Sequence, residues 1–391
     1  MLFRALKFLK LGMTQDVKST IMKLPTITEI ENLKGKRVLL RLDLNVPIEN
    51  GVIRDDFRIK KSQKTLDFLK KEGAIVIIIS HIESGENNTL LPVAKYLDVP
   101  FVDIHTNSFP LKTLSSMGDG DVVLLENLRK DPGEKENSEF FAKKLASMAD
   151  VFVNEAFSVS HRKHASVVGV PKILPTYFGF LFLEEVENLS KAFSPKHPFV
   201  FILGGAKFET KIPLVKKFLN IADKIFIGGA LANSFFKEEG LEIGHSLSDN
   251  VNLDLKELLK NKKIIIPKDV VVGAGGHKCI KKIENIDKED MIGDAGPEFI
   301  DEIDKEILSA KFILWNGPLG IFEGGFEEAT KGLAKMIALS NATSIVGGGD
   351  TLASIKDLNI QDRFSFVSTG GGAMLDFLAN GSLPGIDVVG K

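Results

Sequence analysis

The chain has 391 residues, more than one hydrophobic core usually holds, so two domains are expected. Hydrophobic residues make up 44% and charged residues 26%, an ordinary globular balance, and a net charge of −2 excludes a global attraction to nucleic acid or to an anionic membrane surface. Cys279 is the single cysteine, which excludes an intramolecular disulfide and a cysteine zinc site and fits a reducing, cytoplasmic compartment.

Residues 1–13 read MLFRALKFLKLGM, basic and apolar. Arg4, Lys7 and Lys10 interrupt each apolar run, which argues against a secretory core segment. An organelle transit peptide, a short appended helix and a start at Met13 are the alternatives, so residues 1–23 are set aside as an extension of unassigned role. No apolar run approaches the roughly 20 residues of a membrane span. Phe (28) far outnumbers Tyr (2) and Trp (1), which favours apolar cores over a stacking surface.

Short apolar runs in the first half predict strands over 38–42, 75–80, 99–103, 122–125 and 151–153, as for strands buried on both faces. Helical patterns lie over 58–71 and 138–148. The second half repeats the rhythm, with strands over 199–203, 224–227, 263–266, 312–315, 344–346 and 364–367. Helices are expected over 211–219, 231–239, 253–259, 327–339 and 351–358. Alternating strands and helices imply right-handed crossovers and parallel sheets. The boundary falls at a helical stretch over 181–193, closed by Ser194-Pro195 and followed by His197-Pro198.

In the second half, five glycine clusters each end an apolar run: Gly204-Gly205-Ala206-Lys207, Gly228-Gly229-Ala230, Asn316-Gly317-Pro318-Leu319-Gly320, Gly347-Gly348-Gly349-Asp350 and Gly370-Gly371-Gly372. Glycine lets backbone N–H groups approach an anion, and a following helix adds its positive end. Together they point to a sheet edge built around a phosphorylated ligand. Neither a GxxxxGK[ST] loop nor a GxGxxG turn after a strand is present, which argues against a P-loop ATPase and a dinucleotide dehydrogenase. Lys207 and Lys211, four apart at a helix start, suit a transferring phosphoryl group, or are two solvated lysines. Asp350 fits a helix cap or a magnesium ligand. Glu323 fits a ribose hydroxyl or a loop acid, and Trp315 reads as core.

The strand ends of the first half are basic. Arg41-Leu42-Asp43-Leu44-Asn45 ends one strand, Ser80-His81 a second, and Glu126-Asn127-Leu128-Arg129 a third. Asn154-Glu155 leads on to His161-Arg162-Lys163-His164, and Arg58 lies between. Arginines grouped at one edge would grip a small, highly anionic ligand, since guanidinium binds carboxylate and phosphate bidentately. His161 and His164 lack the neighbours of a metal site. A nucleotide on the glycine-rich half and a small acid on the basic half would have to meet with water excluded, which requires closure about a hinge.

These segments resemble the phosphoglycerate kinase family from about Leu33 to Gly385. The first half carries its RxDxNVP, SH, LLENLR and AFxxxHRxHAS segments, and the second its GGAKxxxKI, GGxxANxF, WNGPxGxFE, GGGDT and STGGGA, in the family's order. The resemblance implies an α/β fold of two doubly wound, Rossmann-like parallel-sheet domains joined by a hinge helix. A 3-phosphoglycerate domain would span 24–180, the hinge helix 181–194 and a nucleotide-binding domain 195–378, with the tail 379–391 returning to the first domain. It implies reversible, Mg²⁺-dependent phosphoryl transfer between ATP and the carboxylate of 3-phosphoglycerate, giving ADP and 1,3-bisphosphoglycerate in glycolysis. The enzyme would be a cytoplasmic monomer without nucleic-acid or membrane partners.

By matched position, Asp43, Asn45, Arg58, His81, Arg129 and Arg162 would hold phosphoglycerate. Arg58 and Lys207 would stabilise the transferred group, with Lys211 on the nucleotide phosphates. Asp350 would hold magnesium and Glu323 the ribose. Gly204, Gly205, Ala206, Gly228, Gly229, Asn316, Pro318, Gly347, Gly348, Gly349 and Thr351 would line the nucleotide, and Gly370, Gly371 and Gly372 a phosphate loop. A carboxylate acceptor is already ionised near neutral pH, so no general base is required. A binding module without turnover would have no need of Arg58, Lys207, Lys211 and Asp350 together.

One departure stands out. The family's SHLGRP reads Ser80-His81-Ile82-Glu83-Ser84 here, so Ser84 replaces a substrate-binding arginine and Glu83 adds a negative charge. Ser158, where glycine is common, is milder. One charge-assisted contact is worth roughly 1.5–3 kcal/mol, so phosphoglycerate binding is expected to be weaker than is usual in the family. Ser84→Arg should therefore lower KM for 3-phosphoglycerate; an unchanged KM would show that the lost arginine costs this chain nothing.

Overall fold

The computed structural model describes residues 24–84, 88–105, 114–248, 255–274 and 277–389, so the 1–23 extension lies outside the described residues, as do 85–87 of the loop before Leu91 and 253–254 of one expected helix. The chain forms two compact units. One ends at Glu187 and takes the chain back from Asn380; the other runs Asn188–Ala379.

The first unit is built on a six-stranded parallel sheet. Its strands are β1 (Arg37–Arg41), β2 (Ile75–Ile79), β3 (Phe101–Val102), β4 (Val122–Leu125), β5 (Val151–Asn154) and β6 (Thr176–Phe178), in spatial order β3-β4-β2-β1-β5-β6. Successive residues feed opposite faces. Val38, Leu40, Val76 and Ile78 enter one core and Leu39, Ile77, Ile79 and Val123 the other. With both faces covered, the strands read as continuous apolar runs. The three-residue β6 was missed because TYF is too short to show a period.

The second unit repeats the plan with β7 (Phe199–Leu203), β8 (Lys224–Ile227), β9 (Ile264–Ile265), β10 (Phe312–Asn316), β11 (Thr343–Gly347) and β12 (Phe366–Ser368), all parallel in the order β9-β8-β7-β10-β11-β12. Both sheets are doubly wound from a central strand, β1 or β7. A three-stranded antiparallel sheet (Asp269–Ala274, His277–Lys282, Met291–Ala295) is inserted after β9. The sequence pattern there does not announce these strands. His277–Lys282 is largely exposed, so it lacks the apolar run that marks the parallel strands.

Helix α1 (Phe57–Lys71) starts one residue earlier than expected. The expected 181–193 helix is α2 (Phe180–Ser190) followed by a 3₁₀ turn, and the first crossing between units falls within α2. Its first N–H groups are met from elsewhere in the chain. Phe180 N donates to Thr65 Oγ1 (3.0 Å), Leu181 N to Glu155 Oε1 (3.1 Å) and Phe182 N to Glu155 Oε2 (3.1 Å). The Thr65 hydroxyl in turn donates to Glu155 Oε1. Burial pushes the Glu155 carboxyl up to about 7, with these donors pulling the other way. Helix ends leave such groups unpaired, and here a buried acid on the end of β5 satisfies them.

The returning tail packs on the first unit. Gly385 N donates to Ser160 O (2.9 Å), and Val388 packs against the Ala156, Val159 and Val167 cluster. Thr65→Val should cost the first unit about 1–3 kcal/mol, because it strips a donor from buried Glu155 and an acceptor from Phe180 N. A lower urea midpoint would show this; an unchanged one would mean the helix start finds another partner.

Candidate active site residues on the two units

In the first unit, polar groups collect at the carboxyl ends of β1, β2, β4 and β5. Arg41, the last residue of β1, is fully buried. Its Nε donates to Ser166 Oγ (3.1 Å), Nη1 to Leu42 O and Ser80 Oγ, and Nη2 faces His81 Nδ1 (3.2 Å). Ser166 passes the charge on, donating its hydroxyl to Glu134 Oε1 (2.6 Å). Burial lowers the Arg41 guanidinium to about 10, so it stays charged at neutral pH. The same burial, with Arg41 beside it, holds His81 well below its ordinary value. His81 is therefore neutral, with Nδ1 accepting from Arg41 and the proton on Nε2.

Asp43 follows two residues later. Its Oδ2 pairs with Arg58 Nη1 (2.8 Å) and accepts from Ser158, and its Oδ1 accepts from Asn45 N (3.1 Å). Burial pushes Asp43 up, but the Arg58 charge and these donors outweigh it and the carboxyl lies below the usual range. Arg58 Nη1 also reaches Asn45 O (3.2 Å), and Asn45 Oδ1 accepts from Glu83 N (2.9 Å). Arg129 follows β4, placed by Asn127, whose Oδ1 accepts from Arg129 N (3.0 Å). Its guanidinium is nearly buried and faces Glu83. Burial lowers Arg129, and the charge of exposed Arg162 adds to this while Glu83 opposes it. His164 lies 3.8 Å from Glu134 and is lowered to about 4 by burial and by Arg129 and Arg162.

Asp43, Asn45, Arg58, His81 and Arg129 thus meet at one sheet edge. Two strand-end acids that the sequence placed on this edge have structural work. Glu155 holds α2, and Glu126 accepts from Leu90 N (2.9 Å), Asn127 N (2.7 Å), Thr89 Oγ1 (2.8 Å) and Lys130 Nζ (2.7 Å).

In the second unit, the turns after β7 and β10 interlock. Gly204 N donates to Asn316 O (2.9 Å) and Gly205 N to Pro318 O (2.8 Å). A Cβ on Gly204 would strike the Pro318 carbonyl, and one on Gly317, at φ +96°, the Gly204 carbonyl. Only glycine lets the two backbones come this close. Trp315 is core, as expected, and its Nε1 donates to Gly317 O (2.9 Å); Gly317 N donates to buried Thr351 Oγ1 (2.8 Å).

Helix α3 (Phe208–Phe218) begins after Lys207, which is exposed, and carries Lys211, which is buried with Nζ donating to Gly204 O. The solvated-lysine reading therefore fails for Lys211. Burial first and Lys207 second lower its ammonium to about 8, with Asp350 raising it. Helix α4 (Gly229–Glu238) follows Gly228, and helix α5 (Gly349–Ser354) follows a cap position taken by Gly348. Asp350, in the first turn of α5, is exposed and does not occupy the cap.

A cavity of about 260 Å³ opens here, lined by Gly205, Ala206, Gly229, Pro318, Glu323 and Asp350 among others. Asn316, at the end of β10, is buried and does not line it. The Gly347–Gly349 and Gly370–Gly372 turns, after β11 and β12, do not line it. A Cβ on Gly347 would meet Met374 Sδ, so that glycine is required by packing. Asn233, Phe236 and Leu247 line the cavity and were missed, as were Ile292 and Asp294 of the inserted sheet. Asn233 lies in the ANxF segment. Its Nδ2 donates to Leu247 O (3.0 Å) and its buried Oδ1 has no partner among the described residues.

The described residues contain no cluster of three metal-ligating side chains. The exposed carboxylate of Asp350, a hard oxygen donor at the cavity, would suit a magnesium ion whose remaining ligands came from phosphates and water.

A phosphoglycerate kinase family profile matches residues 27–381. Phosphoglycerate kinase of Dictyoglomus turgidum is 43% identical over 382 residues, covering 92% of this chain and 96% of that protein. That of Fervidobacterium nodosum is 40% identical over 388 residues, covering 92% and 97%. Among solved structures, phosphoglycerate kinase from Coxiella burnetii superposes with a TM-score of 0.79 at 36% identity, and that from Pyrococcus horikoshii with 0.81 at 31%; each covers 94% of this chain and 98% of the other.

Burial alone also holds Lys217 near 8. An NMR titration should therefore show two lysines with midpoints near pH 8, and Lys207→Ala should raise only that of Lys211. A Lys211 midpoint that stays put would mean the Lys207 charge is not felt there.

Proposed function

This chain belongs to the phosphoglycerate kinase family, and from that premise we propose how its residues divide the reaction. The family's enzymes are transferases of glycolysis that pass a phosphoryl group between ATP and 3-phosphoglycerate. The first unit takes 3-phosphoglycerate, with Arg129, Arg162 and neutral His81 on its anionic groups and Asp43 and Asn45 on its hydroxyl side. The second unit takes the nucleotide in the cavity between the Gly204–Ala206 and Gly317–Leu319 turns, with Glu323 toward the ribose.

The observation that carries this reading is Lys211, a buried ammonium bonded to the Gly204 carbonyl beside exposed Lys207. A cation so desolvated is stabilised when a phosphate arrives and needs no rearrangement to receive it. Arg58, fixed by Asp43, and Lys207 neutralise the charge that spreads over the transferred group. Magnesium held by Asp350 and the nucleotide phosphates would supply further charge neutralisation when bound. The acceptor is an ionised carboxylate, so positioning and electrostatics suffice and no side chain has to remove a proton.

The two ligands sit on different units, and transfer in line requires them to be brought together with water excluded, which we assign to closure of the units. No helix among the described residues is long and apolar enough to cross a membrane; we assign the enzyme to the cytoplasm as a monomer. Lys207→Ala should lower turnover of 3-phosphoglycerate with Mg-ATP by roughly 100-fold or more while nucleotide still binds. Near-full turnover in that variant would remove Lys207 from the transfer step.

A further inference from the structure

Arg129 is held in an unusual state. Its side chain is 4% exposed, yet Nε and Nη2 donate to nothing among the described residues. Its Nη1 touches Glu83 Oε1 as an ion pair with poor hydrogen-bond alignment. Buried polar atoms are nearly always satisfied, and a guanidinium with donors to spare is one that awaits a ligand.

Glu83 does not reach this position by chance of a wandering side chain. Its own N–H is fixed by Asn45 Oδ1 (2.9 Å). On one side, Ile82 is bonded at both backbone groups to Asn127, which donates to Ile82 O (2.8 Å) and accepts from Ile82 N (3.3 Å). On the other, the Ser84 hydroxyl donates to Val46 O. Asn127 also fixes Arg129 N, so one side chain sets both partners of the pair. The Glu83 carboxylate is half-exposed and has room to leave.

We propose that Glu83 is an affinity-setting residue of this chain: its carboxylate occupies the Arg129 guanidinium in the ligand-free protein and must be displaced before an anionic group of the substrate can take that place. The inference rests on the reading of Arg129 as a substrate contact. It deepens that reading, since the weak binding expected from Ser84 has a second cause in an internal competitor. Removing the competitor frees the guanidinium without touching any group that contacts the nucleotide or the transferred phosphoryl. The effect therefore falls on substrate affinity and not on the chemical step.

The test is Glu83→Gln in the full chain, with Glu49→Gln as a charge control; Glu49 pairs with exposed Arg54 and lies outside the site. Two quantities are measured: steady-state KM and kcat for 3-phosphoglycerate, and the affinity for inorganic phosphate in the absence of nucleotide, by calorimetry. Glu83→Gln should lower KM and tighten phosphate binding by about 2- to 5-fold, the upper part of the range for one charge contact with a half-exposed partner. Its kcat should stay within about twofold, and Glu49→Gln should match the parent in both. Unchanged KM and phosphate affinity in a folded Glu83→Gln, or an equal shift in Glu49→Gln, would overturn the proposal. A failure of the underlying reading looks different: no protein turns over 3-phosphoglycerate, yet phosphate binding still tightens in Glu83→Gln.

Discussion

A strand covered on both faces has only its ends for charge. In both sheets the central strands are apolar between their ends, so the ionisable side chains of β1 fall at its first and last residues, Arg37 and Arg41. Arg41 is the sharpest case, since it is the last residue of β1 and wholly buried. A buried cation has to be surrounded by acceptors. The set that Arg41 recruits, Ser166 with Glu134 behind it, Leu42 O, Ser80 and His81, fixes the ends of β1 and β2 relative to each other.

That arrangement also sets charge states. Arg41 remains protonated despite its burial, and His81 beside it is neutral, so this sheet edge carries a fixed positive charge and one imidazole N–H. Asp43 keeps its charge because Arg58 and two further donors, Ser158 and Asn45 N, outweigh its desolvation, and it holds Arg58 in return. In the second unit the same physics acts on Lys211, whose ammonium is lowered by burial and by Lys207. Preorganised charge of this kind is what phosphoryl transfer to a carboxylate needs, because no proton has to be moved.

Much of this was legible in the chain. Continuous apolar runs ended by glycine or by charge gave both parallel sheets, since burial on two faces leaves a periodicity-free signature of the right length. The motif residues Asp43, Asn45, Arg58, His81 and Arg129 lie together at one sheet edge, and the strand-end positions of all but Arg58 are readable from the apolar runs that precede them. Other features were not legible. Glu155 and Glu126 sit at strand ends like the ligand-facing groups, and only their bonds to Phe182 N and Leu90 N mark them as supports for a helix and a loop. The inserted antiparallel sheet was overlooked because one of its strands is exposed and carries no apolar period.

Local sequence determined the elements, the glycine turns and the residue types at each strand end, because these follow from backbone sterics and from hydrophobic pattern within a few residues. It also carried the family, through ordered motifs over nearly the whole chain. The tertiary structure alone decided which of those side chains are desolvated and which partner each one finds. It buried Lys211 and left Lys207 exposed four residues away, made Asn233 a cavity wall, and set Glu83 against Arg129 across 46 positions of chain. Desolvation and pairing depend on neighbours brought from distant parts of the sequence, and no local pattern encodes them.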